Sequence, residues 1–176
     1  MSLSKYHNLF TKYLEDYHQK ENPKGLYEPI SYILSLGGKR LRPLLTLMAT
    51  EAFGKDANEA LAAALSVEIF HNFTLMHDDI MDAAPLRRGK PTVHHKWNTN
   101  TGILSGDAML IQGYQCLEIY EDPLYGKLNK QMSKTALEVC EGQQYDVDFE
   151  TENDVSIVAY LEMIKLKTAV LVGIAL

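Results

Sequence analysis

The chain has 176 residues, 46% of them hydrophobic and 23% charged, which is enough apolar side chain to bury one domain-sized core and too little charge density for a disordered chain. With Lys and Arg totalling 17 against 23 for Asp and Glu, the net charge is −6, so no global cationic field exists to hold nucleic acid or an anionic membrane surface. The opening residues MSLSKYHNLF lack the continuous apolar stretch of a secretory signal, which points to the cytoplasm, and the longest apolar run, 168–176, is far short of the ~18 residues of a membrane span, so no stable membrane insertion is expected.

Apolar residues Leu3, Tyr6, Phe10, Tyr13, Leu14 and Tyr17 recur at three- and four-residue steps, the period of an amphipathic helix that ends in the polar run before Asn22-Pro23. Pro29 fits the first turn of a short second helix, which Gly37-Gly38 terminates. A third helix is expected over 40–53, with Pro43 in its first turn and Gly54 closing it. Asp56 and Glu59 have capping-box spacing, and a continuous helix of roughly 40 Å should run from there to about residue 82.

Residues 83–100 hold Pro85, Gly89, Pro91 and paired basic side chains and read as a loop. Helices resume over about 102–120, break at Asp122-Pro123, run over about 124–150 and start again after Asn153-Asp154. No alternating run is long enough for a sheet, so the class is all-α, with no repeat and no linker to a second domain. Cys116 and Cys140 lie far apart in apolar surroundings without CxxC spacing and read as core thiols, not as a redox pair or zinc site.

The sharpest chemical feature is His77-Asp78-Asp79-Ile80-Met81-Asp82 at the end of the long apolar helix. At about 100° per residue, Asp78 and Asp82 share a face and Asp79 flanks them, so three carboxylates should converge. Negative charge at a helix C-terminus opposes the macrodipole, a conflict that a cation would relieve. Hard oxygen ligands suit Mg²⁺, which takes one or two carboxylates and completes its shell with water and phosphate oxygens.

Two basic clusters accompany the carboxylates. Arg87-Arg88-Gly89-Lys90 follows directly, and Gly37-Gly38-Lys39-Arg40-Leu41-Arg42 stands upstream at a helix start, where Lys39 and Arg42, three apart, can face one anion. Together with a metal they point to a phosphate or diphosphate substrate. Measured from Asp78 on a helical wheel, Val67 and His71 lie about 20° away, Thr74 about 40° and Phe70 about 80°, so an apolar strip interrupted by His71 extends below the carboxylates. A substrate with a charged head and a greasy tail fits that strip.

The set GGKRLRP, DDIMD, RRGKPTVH, SGD (105–107), EGQQYD (141–146) and KLKTAVL (from Lys165) resembles the trans-type isoprenyl diphosphate synthases, the farnesyl and geranylgeranyl diphosphate synthase family, in both order and spacing. The resemblance implies an isoprenoid synthase-type helical bundle around a central cavity, usually a homodimer. The implied reaction joins isopentenyl diphosphate to an allylic diphosphate (dimethylallyl, geranyl or farnesyl) with Mg²⁺ as cofactor. By the same resemblance Asp78 and Asp82 are the metal ligands, with Asp79 beside them. Gly38, Lys39, Arg42, His71 and Arg88 look like isopentenyl diphosphate contacts; Arg87, Lys167 and Thr168 like allylic diphosphate contacts; Gln143 and Asp146 like a pair lining the cavity. Asp78, Asp79, Asp82, Arg87 and Lys167 make up the implied catalytic set.

Product length in such a family depends on bulky groups four and five residues before the first aspartate, here Thr74 and Phe73, with Phe70 nearer the strip on the wheel. One small and one aromatic residue, with no insertion in DDIMD, implies C15 to C20 products, leaning to C20. The family's second aspartate-rich motif is missing after Lys167-Thr168. The resemblance therefore implies that 1–176 is a single prenyltransferase domain incomplete at its C-terminus, about half to three-fifths of a roughly 300-residue domain, and impaired or inactive as it stands. A terpene cyclase would not need the second phosphate cradle. A non-catalytic partner of a complete synthase fits the short length but not the intact aspartates and basic clusters.

Overall fold

The structure, a computed structural model, describes residues 3–17 and 20–176. Met1 and Ser2 of the opening decapeptide, and His18 and Gln19 of the polar run before Asn22-Pro23, lie outside the described residues. The chain divides into two compact units, the first reaching to Cys116 and the second covering Leu117–Leu176.

The first unit is built around one helix. Helices α1 (Leu3–Asp16), α2 (Lys24–Ser35), α3 (Leu41–Ala52), α4 (Leu61–Met81), α5 (Val93–Lys96) and α6 (Thr99–Gln115) follow in order, and α4 packs against all five others. A helix so surrounded must be apolar on nearly every side. Leu65, Ile69, Phe70 and Met76 are fully buried on it, as are Phe10, Ile30, Ile33, Leu47 and Met109 on the surrounding helices. Contact with α6 is close because that helix offers glycines: Gly102 faces Ile80, Gly106 faces the His77 ring, and the Gly113 carbonyl accepts from Ser66 Oγ at 2.6 Å.

Several expectations are corrected here. Pro29 sits inside α2, not in its first turn, because that helix begins earlier, directly after Pro23. The helix expected from 56 is not continuous. Its capping box is present, with Asp56 accepting from Asn58 N at 2.9 Å and Asp56 N donating to Glu59, but that cap starts a short 3₁₀ turn, Ala57–Ala60, and α4 proper has 21 residues, about 31 Å.

The loop expected over 83–100 contains a hairpin of two-residue strands, β1 (Leu86–Arg87) and β2 (Lys90–Pro91), then α5, and α6 already starts at Thr99 under an Asn98 cap. The period of two is invisible in strands this short. A 3₁₀ turn, Cys116–Ile119, closes the helix expected to reach 120.

In the second unit α7 (Leu124–Phe149) packs on α8 (Ile157–Ile164), on a π-helical turn, Lys165–Ala169, and on α9 (Val170–Gly173). Gly142 of α7 makes that approach possible, since a β-carbon there would stand 2.6 to 2.7 Å from Leu166 C and Lys167 Cα and closer still to Lys167 N. Cys140 is exposed on α7, contrary to the reading as a core thiol, because its neighbour Val139 takes the inner face. Cys116 is half-buried, and burial pushes its thiol up to about 11, which disfavours the thiolate at neutral pH. No described helix is long and apolar enough to cross a membrane.

Candidate active site

The carboxylates at the end of α4 do not act as a triplet. Asp79 is buried, and both of its oxygens are taken by Arg87: Nη2 donates to Oδ1 at 2.7 Å and Nε to Oδ2 at 2.8 Å. This bidentate geometry occupies both Asp79 oxygens and corrects the expected three-carboxylate convergence. Asp79's hydrogen bonds hold the Arg87 guanidinium above its usual range, against the burial that lowers it, and the Asp78 and Asp82 carboxylates add to the effect. Asp78, half-buried, and Asp82, exposed at the helix cap, remain one turn apart on one face. Among the described residues no cluster of three or more His, Cys, Asp or Glu forms a metal cage. Two carboxylates one turn apart match the number that Mg²⁺ takes from protein when phosphate oxygens and water fill the remaining positions.

The hairpin after α4 sends its two arginines to different places. Arg88 and Gly89, at φ 52° and 74°, form the two central positions of a tight turn with both residues left-handed, the geometry that suits the twist of a two-residue hairpin. Its base is pinned by Thr92 Oγ1 donating to the Ala84 carbonyl at 2.8 Å and by Tyr32 OH donating to the Pro91 carbonyl at 2.7 Å. Arg87 thus faces the aspartates, while the Arg88 guanidinium lies on Gly38.

Gly38, at φ 128°, occupies backbone that only glycine adopts readily, and it belongs to the upstream basic loop. From the first turn of α3, directly after that loop, Arg42 Nη1 lies 3.1 Å from His71 Nε2. Because the guanidinium can only donate, the imidazole accepts through Nε2 and is neutral. Burial, followed by the charges of Arg42, Arg88, Arg87 and Arg40, lowers the His71 pKa to about 3. Arg42 Nε is buried with no hydrogen-bond partner among the described residues, a donor without an acceptor. Burial pulls the Arg42 guanidinium below its usual range, and the same holds for Arg88 with Arg40 and Arg87 nearby. Gly38, Arg42, His71 and Arg88 are therefore assembled from three separate segments, and Lys39 stands exposed on the loop beside them. Such a concentration of positive charge around a neutral imidazole has the chemistry that suits an anion.

Sequence reasoning missed Arg40, Glu68 and Asn72, which join this loop to the inside of α4. The signal available was a Glu and an Asn four residues apart in an otherwise apolar helix.

The second unit brings the other candidates together. Lys167 occupies the π-helical turn, a distortion often found where a helix presents a functional side chain, and its Nζ pairs with Asp146 Oδ2 at 2.5 Å. Gln143 is half-buried on the same helix as Asp146, and Thr168 is exposed beside Lys167. Along α4, Phe70 is fully buried and meets Phe73 edge to face at 5.4 Å between centroids; Phe73 in turn meets the His77 ring at 4.9 Å. Thr74 is half-buried and spends its hydroxyl on the His71 carbonyl at 2.8 Å.

The fold is helical, with an aspartate pair at the end of α4 and arginines carried on the 37–42 segment and on the hairpin. The profile of the polyprenyl synthetase family matches residues 23–176, and the chain belongs to that family. Curated relatives include a geranylgeranyl pyrophosphate synthase of Geoglobus acetivorans, 40% identical over 169 residues, covering 95% of this chain and 53% of the relative. A geranylgeranyl diphosphate synthase of Methanosarcina mazei is 44% identical over 155 residues, covering 87% of this chain and 48% of the relative. A crystal structure of geranylgeranyl pyrophosphate synthase superposes with a TM-score of 0.97 at 60% identity, over 99% of this chain and 54% of that one. The helical fold is that of these synthases, and the chain spans about half the length of the curated relatives it matches.

Proposed function

We propose that this chain carries the isopentenyl-binding and first metal-binding parts of a Mg²⁺-dependent prenyltransferase that joins isopentenyl diphosphate to an allylic diphosphate, giving C15 to C20 products with C20 favoured. The carrying observation is that Arg88 lies on Gly38 while Arg42 meets a neutral His71, so basic side chains far apart in sequence are gathered around one imidazole. Names of the relatives, geranylgeranyl synthases among them, support the C20 preference.

In this reading Gly38, Lys39, Arg42, His71 and Arg88 hold isopentenyl diphosphate. Arg87 in the first unit is an allylic diphosphate contact; in the second unit Lys167 and Thr168 are diphosphate contacts, and Gln143 and Asp146 are chain-lining residues. Asp79 acts by aiming Arg87. Asp78 and Asp82 would hold Mg²⁺, which when bound supplies positive charge to the departing diphosphate. Fixed cationic side chains stabilise the same developing charge, so the allylic C–O bond ionises. An apolar wall that includes Phe70 and Phe73 keeps water from the carbocation until the isopentenyl double bond attacks it. The C2 proton of the former isopentenyl unit then leaves to restore an allylic product, and the released diphosphate is the base. A homodimer, a cytoplasmic location and one prenyltransferase domain across 1–176 belong to the same proposal.

The test is an assay of this chain, and of any longer natural protein that contains it, with isopentenyl diphosphate and each allylic primer from C5 to C15. Mg²⁺-dependent consumption with C15 to C20 products supports the proposal. This chain by itself should be impaired or inactive; no consumption with any primer by the longer protein, or equal rates without Mg²⁺, contradicts the proposal.

A further inference from the structure

We infer that Arg40 is a positioning residue for the isopentenyl diphosphate cradle, acting through a buried tether to Glu68 that sets where Arg42 and the Gly38 loop stand. This rests on the reading of Gly38, Arg42, His71 and Arg88 as a diphosphate site.

Arg40 is the basic residue of the loop that cannot meet substrate. It is 9% exposed and its guanidinium is divided between two helices: Nη2 donates to the Leu34 carbonyl of α2 at 2.5 Å, and Nη1 donates to the Glu68 carboxylate of α4. Its own backbone is left-handed, at φ 48°, which is strained for a residue with a β-carbon and persists only where surroundings enforce it. Arg40 is also the N-cap of α3 without a side-chain capping bond, since its side chain is turned inward. Fixing that one residue fixes Gly38 two positions before it and Arg42 two positions after it.

The acceptor is equally constrained. Glu68 is 2% exposed in the middle of α4, and its Oε1 also accepts from Asn72 Nδ2 at 3.0 Å, while the same amide donates to the Glu68 carbonyl at 2.8 Å. Glu68 and His71 are three apart on that helix, so anchor and imidazole share one rigid face. A buried ion pair gives little net stability compared with apolar side chains of the same size. What it supplies is direction: a planar guanidinium with acceptors on two helices locks the loop between them, and a lysine, with one point charge, cannot span both. Pairing with Glu68 also offsets the Arg40 charge beside Arg42, Arg87 and Arg88.

The experiment is calorimetric titration of the intact chain with isopentenyl diphosphate, without metal, for the unmodified protein and for Arg40→Lys, Arg40→Met and Glu68→Gln, with thermal unfolding followed in parallel. Each variant should bind about tenfold more weakly or worse, the scale of misaligned charge-assisted hydrogen bonds. Adding Arg40→Lys to Arg42→Met should cost little beyond Arg42→Met alone, because positioning works through Arg42. If Arg40→Met does not fold, Arg40→Lys and the nearly isosteric Glu68→Gln decide. Variants that melt lower but bind normally, or losses that add in full to Arg42→Met, overturn the tether. An unmodified protein that does not bind overturns the diphosphate reading, and the tether falls with it.

Discussion

The guanidinium of Arg88 lies so close to Gly38 that a β-carbon on residue 38 would stand 2.7 Å from Arg88 Nη2. Two loops that the sequence separates by the whole of α3 and α4 thus meet at one point, and the cradle depends on a residue with no side chain. Gly38→Ala should cost about 1–3 kcal/mol through its φ of 128° alone, and it should also push Arg88 aside. Thermal unfolding should show a drop of a few degrees, and titration a larger relative loss of isopentenyl diphosphate affinity.

His71 links stability to pH. Its folded-state pKa is about 3 against 6.5 for the free group, so the native state holds it neutral while the unfolded chain takes up a proton as pH falls below 6.5. Its contribution is present in full above 6.5 and is lost progressively between 6.5 and 3, with a slope approaching about 1.4 kcal/mol per pH unit. His71→Gln should flatten the stability profile of the protein across that window, measured by urea unfolding at pH 7, 6, 5 and 4. Equal slopes for both proteins would refute the buried neutral imidazole.

The aspartates should separate by role. Asp79→Asn breaks the bidentate pair with Arg87 and should destabilise by about 1.5–3 kcal/mol. Asp82→Asn removes a negative charge from the cap of α4 and should leave stability unchanged or raise it by up to about 1 kcal/mol, while weakening Mg²⁺ binding. Denaturant unfolding together with Mg²⁺ titration reads both effects.

Much of this was legible from the residues. Helical period gave α1, α3, α4 and α7 because each buries one stripe or is wholly buried, and the paired glycines and basic runs marked both loops of the cradle. Three things were hidden. The partner of Asp79 could not be seen, because wheel geometry places three carboxylates together and says nothing of an arginine folding back from the hairpin. Arg40 looked like one more cation in GGKRLRP, since burial is a property of the folded loop. The π-helical turn at Lys167 depends on Gly142 of another helix, and no local propensity encodes it.

Product length should follow Phe73. Phe73 is 9% exposed at the edge of the α4 stripe, whereas Phe70 is fully buried. Phe73→Ala should lengthen the product at modest cost to stability; Phe70→Ala should lengthen it too but destabilise by about 3–5 kcal/mol as a core truncation. Chromatography of dephosphorylated products decides, and unchanged lengths in both variants would remove these rings from the floor of the cavity.

The most direct test of the central claim is a crystal structure with isopentenyl diphosphate bound. The diphosphate should lie against the Arg88 guanidinium and the Gly38 loop, within hydrogen-bond reach of Arg42 and His71, with Arg40 still paired to Glu68. A diphosphate found elsewhere on the molecule, or one held without Arg42 and Arg88, would contradict it.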